Sequence, residues 1–478
     1  MKRFLTLLCT TLLLTVALCV TASASDFDAV AEDLSAIGMF RGTGNGFELD
    51  RAPTRSEAAI MLVRLYGAED TAKAAYESGE IKHPFTDVSA FTSPYVAWLY
   101  TNGITNGTTA TTFGSANKCS AQNYVVFLLR ALGYKDGTDF QYADALTFAK
   151  EKGFYDAVMF PGDFLRDDLA ALTYQALAAD MSDGKTYLLD SLVKSGAIDA
   201  KAAQPLTEKI EAYRAMTTAM DAMDDDAMDV DMDVKMNMTM TADGETMTVP
   251  SAIKGNMKMI MDGANIQMAY TTETTAEGET VKVNMWMKDG YAYVSTSMAG
   301  EELKLKYSVE DQMAAINSLS MVDVTAMDVS GLAMLDSVSS RKVGSNTEYT
   351  IVIGEGVNSM LAGVMGMLGD ETDGLDMHFG KMTATYTVDS KGNMKKVAMN
   401  FTASMKIDMP LEDGQAISMS ADYDYDMLMT VNATGKAVKI TFPDFSGYEE
   451  IDPSQMGEAA AWQTAKKQRL DSRRCFLF

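Results

Sequence analysis

Histidine, cysteine and positive charge are all scarce in this 478-residue chain, and each scarcity narrows what it can do. Only His83 and His378 are present, so histidine-based acid–base chemistry has few candidates. Of the four cysteines, Cys9 and Cys19 lie in an apolar leader. That leaves Cys119 and Cys475, which do not make a disulfide framework. The net charge is −26, spread over the whole length, which argues against nucleic-acid binding, because that needs clustered Lys and Arg. Beyond the leader no stretch reaches the ~18 consecutive apolar residues of a membrane span, so the mature chain is not expected to be membrane-embedded. A Gly-x-Ser-x-Gly elbow, a His-Glu-x-x-His pair and a phosphate-binding Gly-rich loop ending in Lys are absent. The expectation is a protein that is not an enzyme and takes no cofactor or metal. Hydrolysis by two carboxylates is the alternative that so many acids leave open. Stability has to come from burial, which 47% hydrophobic residues can supply, and the length suits two or three domains.

The first 24 residues have the order of a secretory signal. Lys2 and Arg3 precede the apolar run Phe4 to Val20, and Ala22-Ser23-Ala24 offers small residues for cleavage before Ser25. Cys19 as a lipidation site is the rival reading; Leu18 before it is bulky where a small residue is expected. Secretion to the outside of a bacterial cell is the expected fate.

A helix–loop–helix pattern then recurs three times in degenerate form, at about 27–67, 85–134 and 140–181. The first copy has Gly42-Thr-Gly-Asn-Gly-Phe47, then Thr54-Arg55-Ser56-Glu57, then the apolar run from Ala58 to Val63. The second opens with Phe85-Thr86-Asp87, continues through Tyr95 to Tyr100 at helical spacing, and turns at Asn102-Gly103 and Asn106-Gly107. It carries Phe113-Gly114 and then Ser120-Ala121-Gln122-Asn123. The third has Leu165-Arg166-Asp167-Asp168 before the helix from Leu169 to Leu177. Thr54 with Glu57 three residues on is a capping box, which needs no ligand. Arg55 adds a planar guanidinium able to grip a carboxylate at two points. Trp98 reads equally as core and as a groove residue, and His83 as a surface histidine.

This order of helix, glycine-rich loop with an aromatic, Thr-Arg-x-Glu and helix resembles the S-layer homology (SLH) repeat. The resemblance implies an all-α three-repeat bundle that binds secondary cell-wall polysaccharide, often pyruvylated, in grooves between repeats. It implies Thr54, Arg55, Glu57, Asp87, Trp98, Ser120, Arg166 and Asp168 as wall-polymer residues. Arg55 and Glu57 of the first copy become Ala121 and Asn123 in the second, so at most two of three grooves keep the arginine.

Residues 182–226 read as a helical connector: a helix around Tyr187 to Val193 stopped by Gly196, and a second started by Pro205 that carries Ile210, Tyr213 and Met216. From Ala227 the period changes to two. Met228, Val230, Met232, Val234, Met236, Met238 and Met240 alternate with polar residues, and similar sets recur to Phe442, the last being Val438, Ile440 and Phe442. Tight turns such as Asp289-Gly290 and Asp389 to Gly392 join them, so residues 227–450 are expected to form an antiparallel meander of nine or ten strands. Its apolar face needs a cover, offered by helices near 208–223, 310–319 and 357–368. The expected class is thus multidomain: an all-α repeat bundle, then an α+β domain with a curved antiparallel sheet covered by helices. The hairpin from Tyr386 to Val397 resembles the LolA/LppX-like lipoprotein-carrier superfamily, which implies an apolar ligand, a lipid or other small molecule, between sheet and helices. Met236, Met238, Met259, Met285, Met399, Phe401 and Met427 are the expected lining. Thirty-eight methionines invite a copper reading, but Val, Ile, Tyr and Phe share their register, as a packed core requires and a metal site does not. The acidic rows Asp229, Asp231, Asp233 and Asp422, Asp424, Asp426 lie in strands, not on a calcium turn, and read as a solvated face. Residues 451–478 turn basic and are expected to be a disordered tail. The alternative to ligand binding by the second domain is a purely structural spacer.

Overall fold

Helices fill the first half of the chain and strands the second, as the change of period predicts. The computed structural model describes residues 27–160, 162–221, 226–242, 245–262, 265–276, 279–298, 301–309, 329–354, 358, 375–410 and 416–451. The leader, the expected helices at 310–319 and 357–368 (Asn358 apart) and the tail from 452 lie outside these residues.

The helical half comprises α1 (Asp28–Ala36), α2 (Arg55–Leu65), α3 (Glu69–Glu77), α4 (Ser93–Thr101), α5 (Ala121–Ala131), α6 (Ala145–Glu151) and α7 (Arg166–Ala178). Its ladder pairing among the described residues is confined to isolated bridges such as Thr54 with Lys118. The helices pack in succession: α2 on α4 and α5, α5 on α6 and α7, and α7 on α1. Leu34, Leu62, Tyr95, Phe113, Tyr124, Phe154 and Tyr174 lie fully buried at the centre.

Two helices continue the chain, α8 (Leu188–Lys194) and α9 (Ala200–Asp221). The expected start at Pro205 is corrected, because Pro205 sits inside α9. Asp199 governs the start, its Oδ1 accepting the Ala202 N–H at 2.8 Å and its carbonyl the Ala203 N–H at 3.0 Å. Pro205 removes one ladder bond, and the helix runs through it on the packing of its buried face, Leu206, Ile210, Tyr213 and Met216.

Thirteen strands among the described residues form one open sheet: β1 (Ala227–Ala242), β2 (Glu245–Asp262), β3 (Asn265–Ala276), β4 (Glu279–Lys288), β5 (Tyr291–Met298), β6 (Glu301–Ser308), β7 (Leu335–Val343), β8 (Asn346–Ile353), β9 (Leu375–Phe379), β10 (Met382–Val388), β11 (Met394–Pro410), β12 (Ala416–Thr434) and β13 (Glu449–Glu450). Their order is 13-6-5-4-3-2-1-12-11-10-8-7, with β9 beside β11. The sheet is mixed, since β13 runs parallel to β6, which corrects the all-antiparallel expectation. The expected strand at Val438, Ile440 and Phe442 is also corrected. That segment lies across the outer face instead: Phe445 stacks on Tyr293 at 3.7 Å, with Trp286 at 6.0 Å and Phe442 at 6.2 Å. It brings side chains rather than ladder bonds, and Pro443 has no donor to give. Asp289 and Gly290 turn with φ of 54° and 77°, the backbone that a two-residue type I′ hairpin requires.

The methionine register holds across the sheet. One row runs Val338, Ile351, Ala384, Met399, Met427, Val234, Ile253, and the next Tyr349, Tyr386, Val397, Met429, Met232, Gly255. On α9, Ile210, Tyr213, Met216 and Met220 share one apolar cluster with Met228, Val230, Met232, Met257 and Met259. A polar pin joins the halves. Lys209 of α9 is buried, donates to the Leu335 carbonyl at the start of β7, and lies 3.8 Å from Asp33 of α1 and 4.9 Å from the Tyr174 ring of α7. Tyr174 in turn donates to Asp33 at 2.7 Å. Burial brings the Lys209 ammonium down to about 8, against the pull of Asp33 and Asp336.

Candidate functional site

Three helices, α2, α5 and α7, begin at equivalent points. Their caps are Thr54, Ser120 and Leu165, so the first helical residue is Arg55, Ala121 or Arg166 and the third is Glu57, Asn123 or Asp168. The capping box read from the first copy is present: Thr54 Oγ1 accepts the Glu57 N–H at 3.3 Å and Glu57 Oε2 accepts the Thr54 N–H at 2.8 Å. Ser120 Oγ accepts from Asn123 N and Nδ2, at 3.3 and 2.8 Å. Leu165 offers no side-chain acceptor, and only Asp168 reaches back, to the Leu165 N–H at 2.7 Å.

Each arginine-bearing helix plugs into the loop of another copy. The Arg166 N–H donates to the Arg51 carbonyl at 2.9 Å and the Asp167 N–H to the Leu49 carbonyl at 3.1 Å. The Arg55 N–H donates to the Asn117 carbonyl at 2.9 Å and the Ser56 N–H to the Ser115 carbonyl at 3.3 Å. Arg51 and Asn117 both stand three residues before a cap, and Leu49 and Ser115 both five before it. The two junctions therefore superpose position by position.

Their charges differ. At the junction of third and first copies, Arg166 is 4% exposed, its Nη1 donates to Glu57 Oε1 at 3.0 Å, its Nε to the Phe47 carbonyl at 2.9 Å, and its guanidinium lies 4.9 Å over the Phe40 ring. Arg51 donates to both oxygens of the same Glu57, at 2.6 and 3.0 Å, and to Glu48 at 3.1 Å. Burial alone would raise the Glu57 carboxyl, but bonds from Arg51 and Thr54 and the charge of Arg166 hold it at about 2. Two cations meet two carboxylates, and the junction is neutral.

At the junction of first and second copies, the Arg55 guanidinium lies 5.0 Å over Phe113 and 5.4 Å over Phe127. Its Nε is buried without a bond partner, and among the described residues no carboxylate lies within ion-pair distance of it. Burial pulls its pKa down. Cys119 is buried there too, its thiol pushed up to about 12 by burial. On the rim, the half-exposed Tyr142 donates to Asn123 Oδ1 at 3.2 Å. Asp87 fixes the loop beneath: its two oxygens accept the N–H groups of Phe113, Gly114 and Ser115 at 2.7, 2.7 and 3.0 Å. Trp98 is half-buried, 5.4 Å from the Tyr66 ring. His83 is corrected from a surface residue. It is half-buried and stacked between Tyr76 at 6.3 Å and Phe85 at 5.6 Å, and its Nδ1 accepts the Phe85 N–H.

Arg51, Asn117, Phe113, Phe127 and Phe40 belong to these junctions without having been singled out as wall-polymer residues. For Arg51 and Asn117 the signal was the repeated distance from the cap. In the sheet, Met259, Phe401 and Met427 are buried, while Met236, Met238, Met285 and Met399 are half-buried on the same face. The acidic rows lie on the opposite face, where Asp229 takes Lys258 at 3.0 Å and Asn256 at 2.8 Å.

This chain carries an S-layer homology domain: residues 84–119, from the segment before α4 to the edge of α5, match that family. It is related to cell-surface proteins. It is 26% identical over 164 residues to the Middle cell wall protein of Brevibacillus brevis, covering 33% of this chain and 15% of that protein. It is 32% identical over 122 residues to the Surface layer protein of Brevibacillus choshinensis, covering 24% of this chain and 11% of that one. The chain thus spans only a small part of the length of these relatives. Among solved structures, a DUF1329 family protein from Desulfovibrio piger aligns at 12% identity over 48% of this chain and 96% of that chain, with a TM-score of 0.17, too low to relate the folds. Among the described residues no helix is long and apolar enough to cross a membrane.

Proposed function

We propose that the helical half is a three-repeat S-layer homology domain that holds this protein non-covalently on bacterial wall polysaccharide, with Arg55 taking an acidic group of the polymer such as a ketal-linked pyruvate. The observation that carries this is the Arg55 guanidinium, set over two phenyl faces, without a carboxylate partner, on a rim of neutral polar side chains. A desolvated, unneutralised guanidinium favours an incoming carboxylate, which it binds through two parallel bonds. The two wall-protein relatives support the same reading. Arg55→Ala in the full chain should lower retention on purified Brevibacillus brevis wall sacculi roughly ten- to a hundredfold, the worth of a charged hydrogen-bond pair. Circular dichroism and Tm should stay close to those of the parent. Unchanged retention would refute the assignment.

The sheet half supports a further element, an apolar-ligand module without catalytic chemistry. Burial falls along β1, from 0% exposed at Val230 and 6% at Val234 to the half-buried Met236, Met238 and Met240. Thioether side chains adapt to irregular apolar ligands. Native mass spectrometry of the gently purified full chain should show a bound lipid-sized mass that recurs in its organic extract. A bare chain mass would make the sheet a closed structural module.

A further inference from the structure

The superposable junctions show what makes one of them open to an anion. At the third–first junction the positions around the helix-start arginine are Glu48, Arg51 and Glu57; at the first–second junction the same positions are Gly114, Asn117 and Asn123. Three charged residues are replaced by three neutral ones. Arg166 meets a carboxylate supplied by the chain itself, in a grip shared with Arg51. Arg55 meets none, and Asn123 turns its amide instead to Ser120 and Tyr142.

We infer that Asn123 and Asn117 are specificity-determining residues that leave Arg55 unneutralised, making the first–second junction the carboxylate-accepting one, while Glu57 is a tethered carboxylate that already fills the equivalent place at the third–first junction. This rests on the wall-binding reading of Arg55 and adds to it the residues that keep that junction open and the one that fills its counterpart. Because Glu57 shows what the arginine pocket takes, the ligand group is a carboxylate rather than a phosphate.

The decisive substitution is Asn123→Glu in the full chain. A glutamate three residues after Ser120 completes a capping box, so the fold should be kept or strengthened, while the new carboxylate can reach Arg55 as Glu57 reaches Arg166. Retention on wall sacculi should then fall about tenfold or more, with Tm equal to or above that of the parent. Asn123→Gln, neutral and of the same length as Glu, should keep retention within about twofold. Conversely, Glu57→Gln should lower Tm but make it respond to added pyruvate more steeply than the parent does, because a ligand bound only by the folded state raises Tm. Inorganic phosphate at the same concentration should do less. If Asn123→Glu retains wall binding while Arg55→Ala loses it, the charge rule is wrong and the wall-binding reading stands. If neither substitution changes retention, the wall-binding reading itself falls. A Glu57→Gln protein indifferent to pyruvate would refute the tethered-carboxylate role, and an equal response to phosphate would refute the carboxylate preference.

Discussion

Arg166→Ala should lower the stability of the helical half by about 3 kcal/mol, whereas Arg55→Ala should change it by less than about 1 kcal/mol, although both arginines open a helix at the same position. The contrast follows from their partners. Removing Arg166 strips one cation from Glu57, leaves the Phe47 carbonyl without its donor, and empties the space over the Phe40 ring. Each loss falls on a side chain that is 4% exposed. Taking one member from a buried pair is costly because the remaining charge keeps its desolvation without its compensation. Arg51 stays on Glu57 and limits the damage, hence a figure at the low end for buried pairs. Arg55 has no such partner to orphan, and its deletion relieves a desolvated cation while losing the guanidinium's contact with the Phe113 and Phe127 rings. Urea unfolding followed by Trp98 fluorescence, in a background where Trp286 and Trp462 are replaced by Phe, measures both. Equal destabilisation by the two substitutions would refute the division of the arginines into one structural and one free.

How far the fold was legible follows from the range of each interaction. The capping box at Thr54 and Glu57 spans three residues and was visible in the sequence; so were the Asp289-Gly290 hairpin and the alternation of β1, β2, β4, β5, β6, β10, β11 and β12. Strand β3 was not, because threonines on both of its faces blur the period, as in Thr271, Thr272, Thr274 and Thr275. Strand β7 shows only two buried positions in nine, the pattern of a sheet edge. The parallel β13 is two residues long and is held to β6 by the aromatic segment before it, not by its own propensity. The same holds at the site. Arg55 and Arg166 look alike in sequence because what distinguishes them is a partner 109 residues from Arg166. Only after the docking register is known do Asn117 and Asn123 line up with Arg51 and Glu57. Asp87, expected as a wall-polymer residue, meets three loop amides that no local pattern announces.

Acid should destabilise the helical half steeply below about pH 4.5. Glu57 and Glu69 both stand at about 2 in the folded chain, against 4.5 for a free carboxyl. At Glu69 burial works upward and is overcome by Lys73 at 2.7 Å, Tyr95 at 2.7 Å and Arg64 at 3.0 Å. Because these folded values are depressed, the unfolded chain binds protons first as pH falls. The stabilisation is therefore whole above about pH 4.5 and is lost on the way down to about pH 2. Solvent screening discounts these shifts to about 1–2 kcal/mol each, so the pair withdraws a noticeable part of a typical domain's stability. His83 acts in the same direction but earlier: burial lowers its pKa from 6.5, so the unfolded chain gains that proton first on acidification. Thermal unfolding between pH 7 and 2.5 should show a slight decline below about pH 6.5 and a steep one below 4.5. In Glu57→Gln the steep part should be shallower by about one proton, because that carboxyl no longer titrates. A Tm that is level from pH 5 to 3 would mean that Glu57 and Glu69 are not held by their arginines in solution, and the neutral junction from which the free state of Arg55 was inferred would lose its contrast.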